Sequence, residues 1–524
     1  MKESYIVFCL LLISVFVFGQ SSLNVDLVKI MDRGAEYYSG SWVYVDGQGR
    51  EYGLVGAKSG VAIYSLEAGQ DEELAFIPGP FNNWREITVI KDHAYITTEG
   101  RGDDEGLQVL SLAGLPDTAF LLTTYDSTFT TGHILQKDVY KPDEPYIYIS
   151  GTDATGGVHI LDVSNPADPV EVGLHNPGDY VHDVHVRGDR MYTFQFNIGV
   201  IQVVDISDKT NPVLLASIDD PGGATHSGWT TDDNNFLLVA DERNGFVGRI
   251  FDIRDLENIF EVSTFTSNPN TFVHNPYVSG DFAYLAHNRE GLRVYDVVDP
   301  SNPVEIGYYD TVTDENAGSG GLWSACPFIP SKKVIGGDRD LGLMVWEINE
   351  VYASRFSGTV FDENTLLPLN DVNVSIVEQL DTTFTDGFGD FKGGYPIEGK
   401  INLKFALDGY ASKTVEISLV AGEEQVIEVY LEQASVGTKQ LIANDRLKVW
   451  PTPTDENLLV SISENAKGDL SIFNLLGQNV KTVVVNETGK MAIDVIDLSD
   501  GIYFLRWRSE DQSTIASQRV IIKH

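Results

Sequence analysis

Cysteine, positive charge and long apolar segments are all scarce in this sequence of 524 residues. Only two cysteines occur, and Cys9 lies in the N-terminal apolar stretch, so cleavage near Gly19 leaves Cys326 without an internal disulfide partner. Lysine and arginine total 36 against 77 aspartates and glutamates, which gives a net charge of −41. A surface this acidic repels nucleic-acid phosphates and anionic membranes and attracts cations. We therefore expect no nucleic-acid partner and a buried free thiol at Cys326.

The long apolar stretch stands at the N-terminus. Residues 1–19 combine Lys2, an apolar core and the small Gly19, which is typical of a signal peptide. This stretch is short for a transmembrane span, and no later segment is apolar enough to be one. The sequence therefore predicts an exported mature chain without a transmembrane segment.

One short strand pattern occurs seven times and predicts the fold of the first two thirds of the chain. The copies, such as GVHILDV (157–163) and GLRVYDV (291–297), recur every 43 to 51 residues, and such a period is typical of a four-stranded propeller blade. Alternating apolar and polar residues rich in Val, Ile and Tyr favour strands over helices. Residues 21–350 are therefore predicted to form a seven-bladed β-propeller. Residues 24–32 would supply the outer strand that the seventh repeat lacks.

Beyond the propeller, the composition predicts a small β-sandwich domain at 355–434, followed by a linker at 435–446 and a last domain at 447–524. The strand at 358–360, the turn at 385–387 and the Gly409-Tyr410 pair resemble the carboxypeptidase regulatory-like domain, a transthyretin-like sandwich. This resemblance implies a spacer without catalytic residues. The fold class is then all-β: a seven-bladed β-propeller followed by two small β-sandwich domains.

The last segment resembles the C-terminal sorting domain of the type IX secretion system of the Bacteroidota. The matching pieces are VWPTPTDENLLV (449–460), LSIFNLLGQNV (470–480), DLSDGIYFLRW (497–507) and the terminal VIIKH, with Thr452 where the family usually has Asn. The resemblance implies contact with the type IX machinery and passage across the outer membrane. The mature protein is then secreted or attached to the cell surface.

Polar residues recur at the start of the first strand and at the end of the second strand of successive predicted blades. Because these two positions meet at one face of a propeller, we expect them to line one mouth of the central channel. His133, His182, His226 and His274 occupy equivalent places at the strand starts, and with carboxylates nearby they are predicted to bind one divalent transition metal. Two other interpretations stay open: hydrogen bonds that join adjacent blades, and an organic ligand site.

Other mouth residues are predicted to bind an organic ligand, with flat tryptophan faces for a sugar or aromatic ring and charged groups that fix its orientation. Trp42 would add a further face. The predicted ligand-binding residues are Trp84, Arg85, Glu86, Glu99, Asp183, Trp229, Asp241, Glu242 and Trp323. Calcium in the loops at 231–235 and 338–342 is a further cofactor hypothesis, but both loops lack the spacing of a calcium-binding loop and are expected to be turns.

The pattern of WREI (84–87), HDV (182–184), HSGW (226–229) and HN (274–275) resembles the choice-of-anchor B family of secreted LVIVD-repeat proteins. The resemblance implies a surface-displayed propeller and supplies no activity. The predicted function is non-enzymatic binding of an extracellular protein or glycan. The alternatives are a metal-dependent hydrolase or lyase with Glu86 or Asp183 as base, and a purely structural envelope protein.

Overall fold

The computed structural model describes residues 21–524 except 35, 71, 221, 244, 245, 267, 269, 270, 272, 313–319, 378–381, 435–446, 463–466, 475–477, 486–488 and 510–514. The predicted signal peptide and the predicted linker at 435–446 lie outside these residues. The described chain is all-β: it contains 42 strands and no α-helix. Among these residues, no helix has the length and apolar character needed to cross a membrane.

The chain divides into two compact units. The first contains the described residues within Met1–Phe361, Leu367–Ala406 and Lys413–Tyr430. The second contains those within Asp362–Leu366, Leu407–Ser412 and Leu431–His524.

The N-terminal part of the first unit consists of seven antiparallel sheets. The chain begins with β1 (Ser22–Leu23) and β2 (Val25–Met31), which join the sixth and seventh sheets. The first sheet contains β3 (Tyr38–Val45), β4 (Glu51–Ala57), β5 (Gly60–Ser65) and β6 (Glu73–Pro78). The second contains β7 (Arg85–Ile90), β8 (His93–Thr98), β9 (Leu107–Ser111) and β10 (Phe120–Tyr125). The third contains β11 (Ile134–Gln136), β12 (Tyr146–Ser150), β13 (Val158–Asp162) and β14 (Val170–His175).

The next sheets repeat this order. The fourth contains β15 (Asp183–Arg187), β16 (Arg190–Gln195), β17 (Val200–Asp205) and β18 (Val213–Asp219). The fifth contains β19 (Thr225–Thr230), β20 (Phe236–Asp241), β21 (Gly248–Asp252) and β22 (Phe260–Phe265). The sixth contains β23 (Asn275–Ser279), β24 (Phe282–Ala286), β25 (Leu292–Asp296) and β26 (Val304–Tyr309), with β1 at its edge. The seventh contains β27 (Lys333–Asp338), β28 (Gly342–Ile348) and β2.

The recurring acidic position at the end of the third strand has a local structural role. The side chains of Asp162, Asp205 and Asp296 each accept a hydrogen bond from the backbone N–H two residues later, at 2.7, 2.8 and 3.0 Å. Such a bond stabilises the turn that leads to the fourth strand. The repeat pattern therefore marks a turn as well as a strand.

The N-terminal strand β2 completes the seventh sheet, as residues 24–32 were predicted to do. It pairs antiparallel with β28 from Val25 opposite Ile348 to Met31 opposite Leu343. Its register shifts between Leu27 and Lys29, and the third and fourth strands of the other six sheets show a shift at the corresponding pairing. This shared bulge identifies β2 as the counterpart of the fourth strand of the other six sheets.

The first strands of neighbouring sheets are joined by side chains that donate to the next strand's backbone. Ser39 Oγ donates to Arg85 O at 3.1 Å, and Ser227 Oγ donates to His274 O at 2.6 Å. Between the last and the first sheet, the hydroxyl of Ser324, in the segment before β27, lies 2.8 Å from that of Ser41. These contacts bring the starts of the first strands of neighbouring sheets together.

Two further sheets follow in the first unit. One contains β29 (Ser354–Asp362), β32 (Asp390–Tyr395) and β35 (Glu424–Leu431). The other contains β30 (Asn373–Ile376), β31 (Thr382–Phe384), β33 (Gly399–Ala406) and β34 (Lys413–Leu419). Arg355 on β29 forms a buried ion pair of 2.7 Å with Asp296 on β25, so these sheets are attached to the sixth sheet.

The C-terminal region of the second unit contains two sheets around a core that includes Leu470, Leu505 and Trp507, each at most 2% exposed. The first sheet contains β36 (Leu447–Trp450), β37 (Asn457–Ile462) and β40 (Gly489–Asp494). The second contains β38 (Gly468–Phe473), β39 (Asn479–Val485), β41 (Gly501–Ser509) and β42 (Ile515–Ile522).

Candidate functional site

Four histidines at the starts of the first strands of the third to sixth sheets form a continuous arc of rings, here called the histidine arc. The ring centroids of His133 and His182 are 4.3 Å apart, those of His182 and His226 are 4.1 Å apart, and those of His226 and His274 are 4.4 Å apart. The structure therefore brings together all four histidines that the sequence predicted. We call the end of the first strands that carries this arc the mouth.

Three of these histidines use Nδ1 to join adjacent sheets. Nδ1 of His182 lies 3.1 Å from His226 O, Nδ1 of His226 lies 2.9 Å from His274 O, and Nδ1 of His274 lies 3.0 Å from the carbonyl oxygen of Trp323. A carbonyl oxygen only accepts, so each Nδ1 carries the proton. In the neutral imidazole, Nε2 then keeps a free lone pair.

His133 is held by a carboxylate instead of a carbonyl. Its Nδ1 lies 2.8 Å from Oε1 of Glu99, at the end of β8, and its Nε2 lies 2.9 Å from Nε2 of His182. Glu99 is thus a partner of the histidine arc, as its position at the end of a second strand predicted. The hydrogen bond from His133 holds the pKa of Glu99 below its usual range, so this carboxyl is ionised at neutral pH.

Glu242, just beyond β20, brings a second carboxylate to the arc. Its Oε2 lies 3.5 Å from His226 Nε2, and its Oε1 lies 4.0 Å from His274 Nε2. Nε2 of His274 is buried and has no hydrogen-bond partner among the described residues. His182, His226 and Glu242 each offer one ligand atom, and these atoms lie within 4.8 Å of one another. This is the donor set of the mouth that suits a metal ion.

The histidine arc is electrically neutral over most of its length. Burial lowers the pKa of His182 and His274 well below the usual value, and each also lies near other histidines. Burial likewise lowers the pKa of His226, although Glu242 opposes this effect. Neutral histidines are the form that coordinates metal ions.

Two carboxyl groups of the mouth have strongly raised pKa values. Desolvation raises the pKa of Glu86 to about 8, although Trp323 Nε1 donates a hydrogen bond to its Oε1. Desolvation also raises the pKa of Asp183 to about 7. Gly40 packs closely against the Glu86 carboxyl: a Cβ atom at position 40 would lie 2.2 Å from Glu86 Oε2, so a larger residue would collide with it. Groups that titrate near neutral pH are suited to general acid or base chemistry.

Three of the four tryptophans predicted to present flat faces are buried. Trp42, Trp229 and Trp323 are at most 5% exposed, whereas Trp84 is 38% exposed. Trp229 packs on Phe328 with ring centroids 5.3 Å apart, and Trp323 packs on His274 at 4.5 Å. Protein rings therefore cover the faces that the sequence argument assigned to a ligand, and Trp84 alone keeps one available.

Arg85 and Asp241 also lie away from the ligand position that was predicted for them. Arg85 is fully buried between the first two sheets, where it donates to the carbonyl oxygens of Pro80 and Ala57, and burial lowers its pKa to about 10. Asp241 accepts from Ala224 N and pairs with Arg249 at 3.3 Å, beside another buried carboxylate. Both residues therefore have structural partners of their own.

The predicted calcium loops are turns closed by their own hydrogen bonds. Asp233 Oδ1 accepts from Thr231 Oγ1 at 2.6 Å, and Asp338 Oδ1 accepts from Asp340 N at 3.0 Å. The expectation of turns at 231–235 and 338–342 is confirmed. Cys326 is a buried free thiol, also as predicted.

Two aromatic residues of the mouth were not predicted. Tyr180 and Phe196 are partly exposed, and their ring centroids lie 6.2 and 5.5 Å from that of His182. They flank the part of the arc where His133 and His182 retain some exposure. Tyr180 lies in the loop before β15, and Phe196 directly follows β16, at the position that Glu99 and Glu242 occupy after β8 and β20. An aromatic residue at these places is not part of the repeat pattern, so nothing in the sequence selects them.

Two families are found in the chain. Residues 448–523 match the secretion system C-terminal sorting domain, and residues 143–176, 178–220 and 274–311 match the LVIVD repeat. The chain thus carries LVIVD repeats in its third, fourth and sixth sheets and a type IX sorting domain at its C-terminus. No curated protein matches the chain. Among solved structures, the computationally designed Ika8 protein is similar over 63% of this chain and 100% of that chain, at 10% identity and a TM-score of 0.43.

Proposed function

We propose that the seven N-terminal sheets are the blades of a seven-bladed β-propeller that spans 21–350 and is related to the choice-of-anchor B proteins. The seven shared bulges, the turn-forming acidic positions and the joined first strands support this division. In the same proposal, residues 355–434 form a carboxypeptidase regulatory-like sandwich, and residues 1–19 are a signal peptide. Residues 447–524 form the sorting domain.

The sorting domain points to a protein that is secreted or displayed at the cell surface. A protein at that location meets extracellular proteins and the glycans of its surroundings. We infer that the propeller is a binding module for such a partner, and the mouth is the surface on which polar and aromatic groups meet.

The observation that carries this inference is the exposed aromatic pair Phe81 and Trp84, in the loop that leads into β7. Phe81 is 67% exposed and Trp84 is 38% exposed. Asn82 Oδ1 accepts from Trp84 N at 2.7 Å, and the amide N–H groups of Asn82 can donate to hydroxyls. Aromatic faces beside amides suit a sugar ring, which has an apolar face and a polar edge, so a glycan is favoured over a protein partner.

The test is a glycan array followed by calorimetry with the full mature chain. Trp84→Ala is expected to weaken binding of the selected glycan about tenfold or more, which corresponds to a loss of about 1.4 kcal/mol. Phe260→Ala is the matched control, because Phe260 is 49% exposed but lies on the outer strand of the fifth sheet. Equal weakening by both variants, or by neither, would contradict the proposal.

A second candidate function is a metal-dependent hydrolase or lyase. The observation that favours it is the pair of carboxyl groups Glu86 and Asp183, whose pKa values of about 8 and 7 suit proton transfer at neutral pH. This alternative also requires a metal ion at the mouth. Hydrolysis of a panel of ester and phosphoester substrates that depends on added metal and is lost in Glu86→Gln or Asp183→Asn would support it. Equal rates in these variants would exclude the roles assigned to them.

A further inference from the structure

The mouth holds an unusual excess of buried acceptors. The Nδ1 protons of His182, His226 and His274 are all directed to carbonyl oxygens, so the three Nε2 atoms have lone pairs and no proton to donate. Nε2 of His274 has no hydrogen-bond partner in the described chain. Burying a polar atom without a partner is costly. A ligand that accepts lone pairs would remove this cost.

The contact between His133 and His182 also leaves lone pairs without a donor. Both Nε2 atoms face each other at 2.9 Å. The other ring nitrogen of His133 faces the carboxylate of Glu99, and that of His182 faces a carbonyl oxygen. If both rings are neutral, the lone pairs of the two Nε2 atoms point at each other and repel. A cation bound by these nitrogens would resolve the conflict.

We propose that the mouth binds one divalent transition metal ion of the zinc class through Nε2 of His182, Nε2 of His226 and a carboxylate oxygen of Glu242. This proposal does not depend on the binding of a glycan. His133 Nε2 is near enough to His182 Nε2 to enter the coordination of the same ion. His274 is the last ring of the arc, and its Nε2 lies 4.0 Å from Glu242 Oε1.

The distances between donor atoms fit this assignment. With metal–ligand bonds of about 2.0–2.2 Å, the ligand atoms of a tetrahedral zinc site lie about 3.3–3.6 Å apart. His226 Nε2 and Glu242 Oε2 are 3.5 Å apart, and the atoms of the three ligands all lie within 4.8 Å of one another. Binding of the ion would draw these atoms to the tetrahedral spacing. Three protein ligands leave a fourth position for water or a bound molecule.

The surroundings of the ligands are also those of a metal site. A histidine that binds a metal almost always donates its other ring N–H to a carboxylate or a carbonyl oxygen. Each member of the histidine arc has such a partner, and Glu99 plays this part for His133. The carboxylates of Glu99 and Glu242 supply two negative charges for the dication. Arg339 lies over Trp323 at 4.6 Å, next to His274, which favours an ion centred on His182 and His226.

The experiment measures zinc binding by the full chain, purified without affinity histidines and stripped with a chelator. Elemental analysis after zinc loading is expected to find about one zinc per chain, and cobalt is expected to give the absorption bands of a tetrahedral site. His226→Gln and Glu242→Gln should weaken zinc binding at least about 100-fold. Glu99→Gln should weaken it about 10- to 100-fold, because it removes an outer partner.

The matched control is Glu171→Gln. Glu171 accepts from His159 Nδ1 at 2.7 Å, so it repeats the histidine–carboxylate contact in the third sheet, away from the arc. It should leave zinc binding unchanged. Zinc should also raise the melting temperature of the wild type but not that of folded His226→Gln, which separates lost binding from lost folding. A chain that binds no zinc, or that binds it equally with and without His226 and Glu242, overturns the proposal. Glycan binding is measured separately, so the two proposals fail independently.

Discussion

At the scale of single residues, Glu86 is a carboxyl group whose surroundings favour its neutral form. Trp323 and Gly40 surround its carboxyl, and desolvation raises its pKa from 4.5 to about 8. Such a carboxyl binds more protons in the folded than in the unfolded state between about pH 4.5 and 8. The folded state therefore loses stability as the pH rises through this range.

Glu86→Gln should remove this dependence, because glutamine has the same shape, accepts from Trp323 and does not ionise. We expect the variant to be more stable than the wild type at pH 9 by about 2 kcal/mol and close to it at pH 5. Urea denaturation at pH 5, 7 and 9 measures the difference. An unchanged difference across these three pH values would show that Glu86 is ionised throughout or equally solvated in both states.

The candidate site could be predicted from the sequence only to the level of position in the repeat. The four histidines occupy equivalent places, and the structure brings all of them together. Asp241 and Glu242 are neighbours at a strand end, and successive side chains point to opposite sides. Only Glu242 reaches the arc, and β19, which pairs with β20, contains a register shift that the sequence does not reveal. Trp229 packs on His185 and Tyr277 of the two neighbouring sheets and on Phe328 of the segment before β27. No local pattern predicts these contacts.

At the scale of elements, strand β2 is the piece that links the beginning of the chain to the seventh repeat. It could be predicted because six repeats have a fourth strand and the seventh does not. Val25 is 2% exposed within this strand, whereas Val28 is 41% exposed. Val28 therefore serves as a control for Val25 within the same strand.

Val25→Asp should destabilise the protein by about 3 kcal/mol or more, because it buries a charge without a partner. Val28→Asp should change stability by no more than about 0.5 kcal/mol. Denaturant midpoints of the two variants give the comparison. Equal effects would mean that β2 does not pack in the seventh sheet as described.

At the scale of the whole molecule, the first unit contains a buried ion pair that joins the sixth sheet to the two sheets beyond it. Arg355 contacts both carboxylate oxygens of Asp296, at 2.7 and 3.1 Å, and Ala353 N donates to the same group at 2.8 Å. Asp296 is fully buried. The same aspartate thus forms the turn of its own repeat and holds strand β29.

Arg355→Ala should cost about 3–5 kcal/mol, since it leaves a buried carboxylate without its cation. Limited proteolysis should then cleave near residues 349–353 faster than in the wild type. Lys400→Ala is the control, because its pair with Glu416 is exposed and is worth less than about 1 kcal/mol. If the two variants are cleaved alike, the ion pair does not hold the two parts together.

The sorting domain makes a prediction about the fate of the chain. Removal of residues 447–524 should retain the protein inside the outer membrane of a host with a type IX system, since these residues match the sorting signal. Fractionation and immunoblotting measure this. Export of the truncated chain at the normal level would assign the sorting signal to another segment.

His182 from the fourth sheet, and His226 and Glu242 from the fifth, are the proposed ligands of one metal ion. The most direct measurement is an anomalous difference map at the zinc edge, from crystals of the full chain grown with zinc. One strong peak is expected at about 2.0–2.2 Å from the two Nε2 atoms and from a Glu242 oxygen. A mouth without a peak, with zinc bound elsewhere or nowhere, would contradict the proposed site.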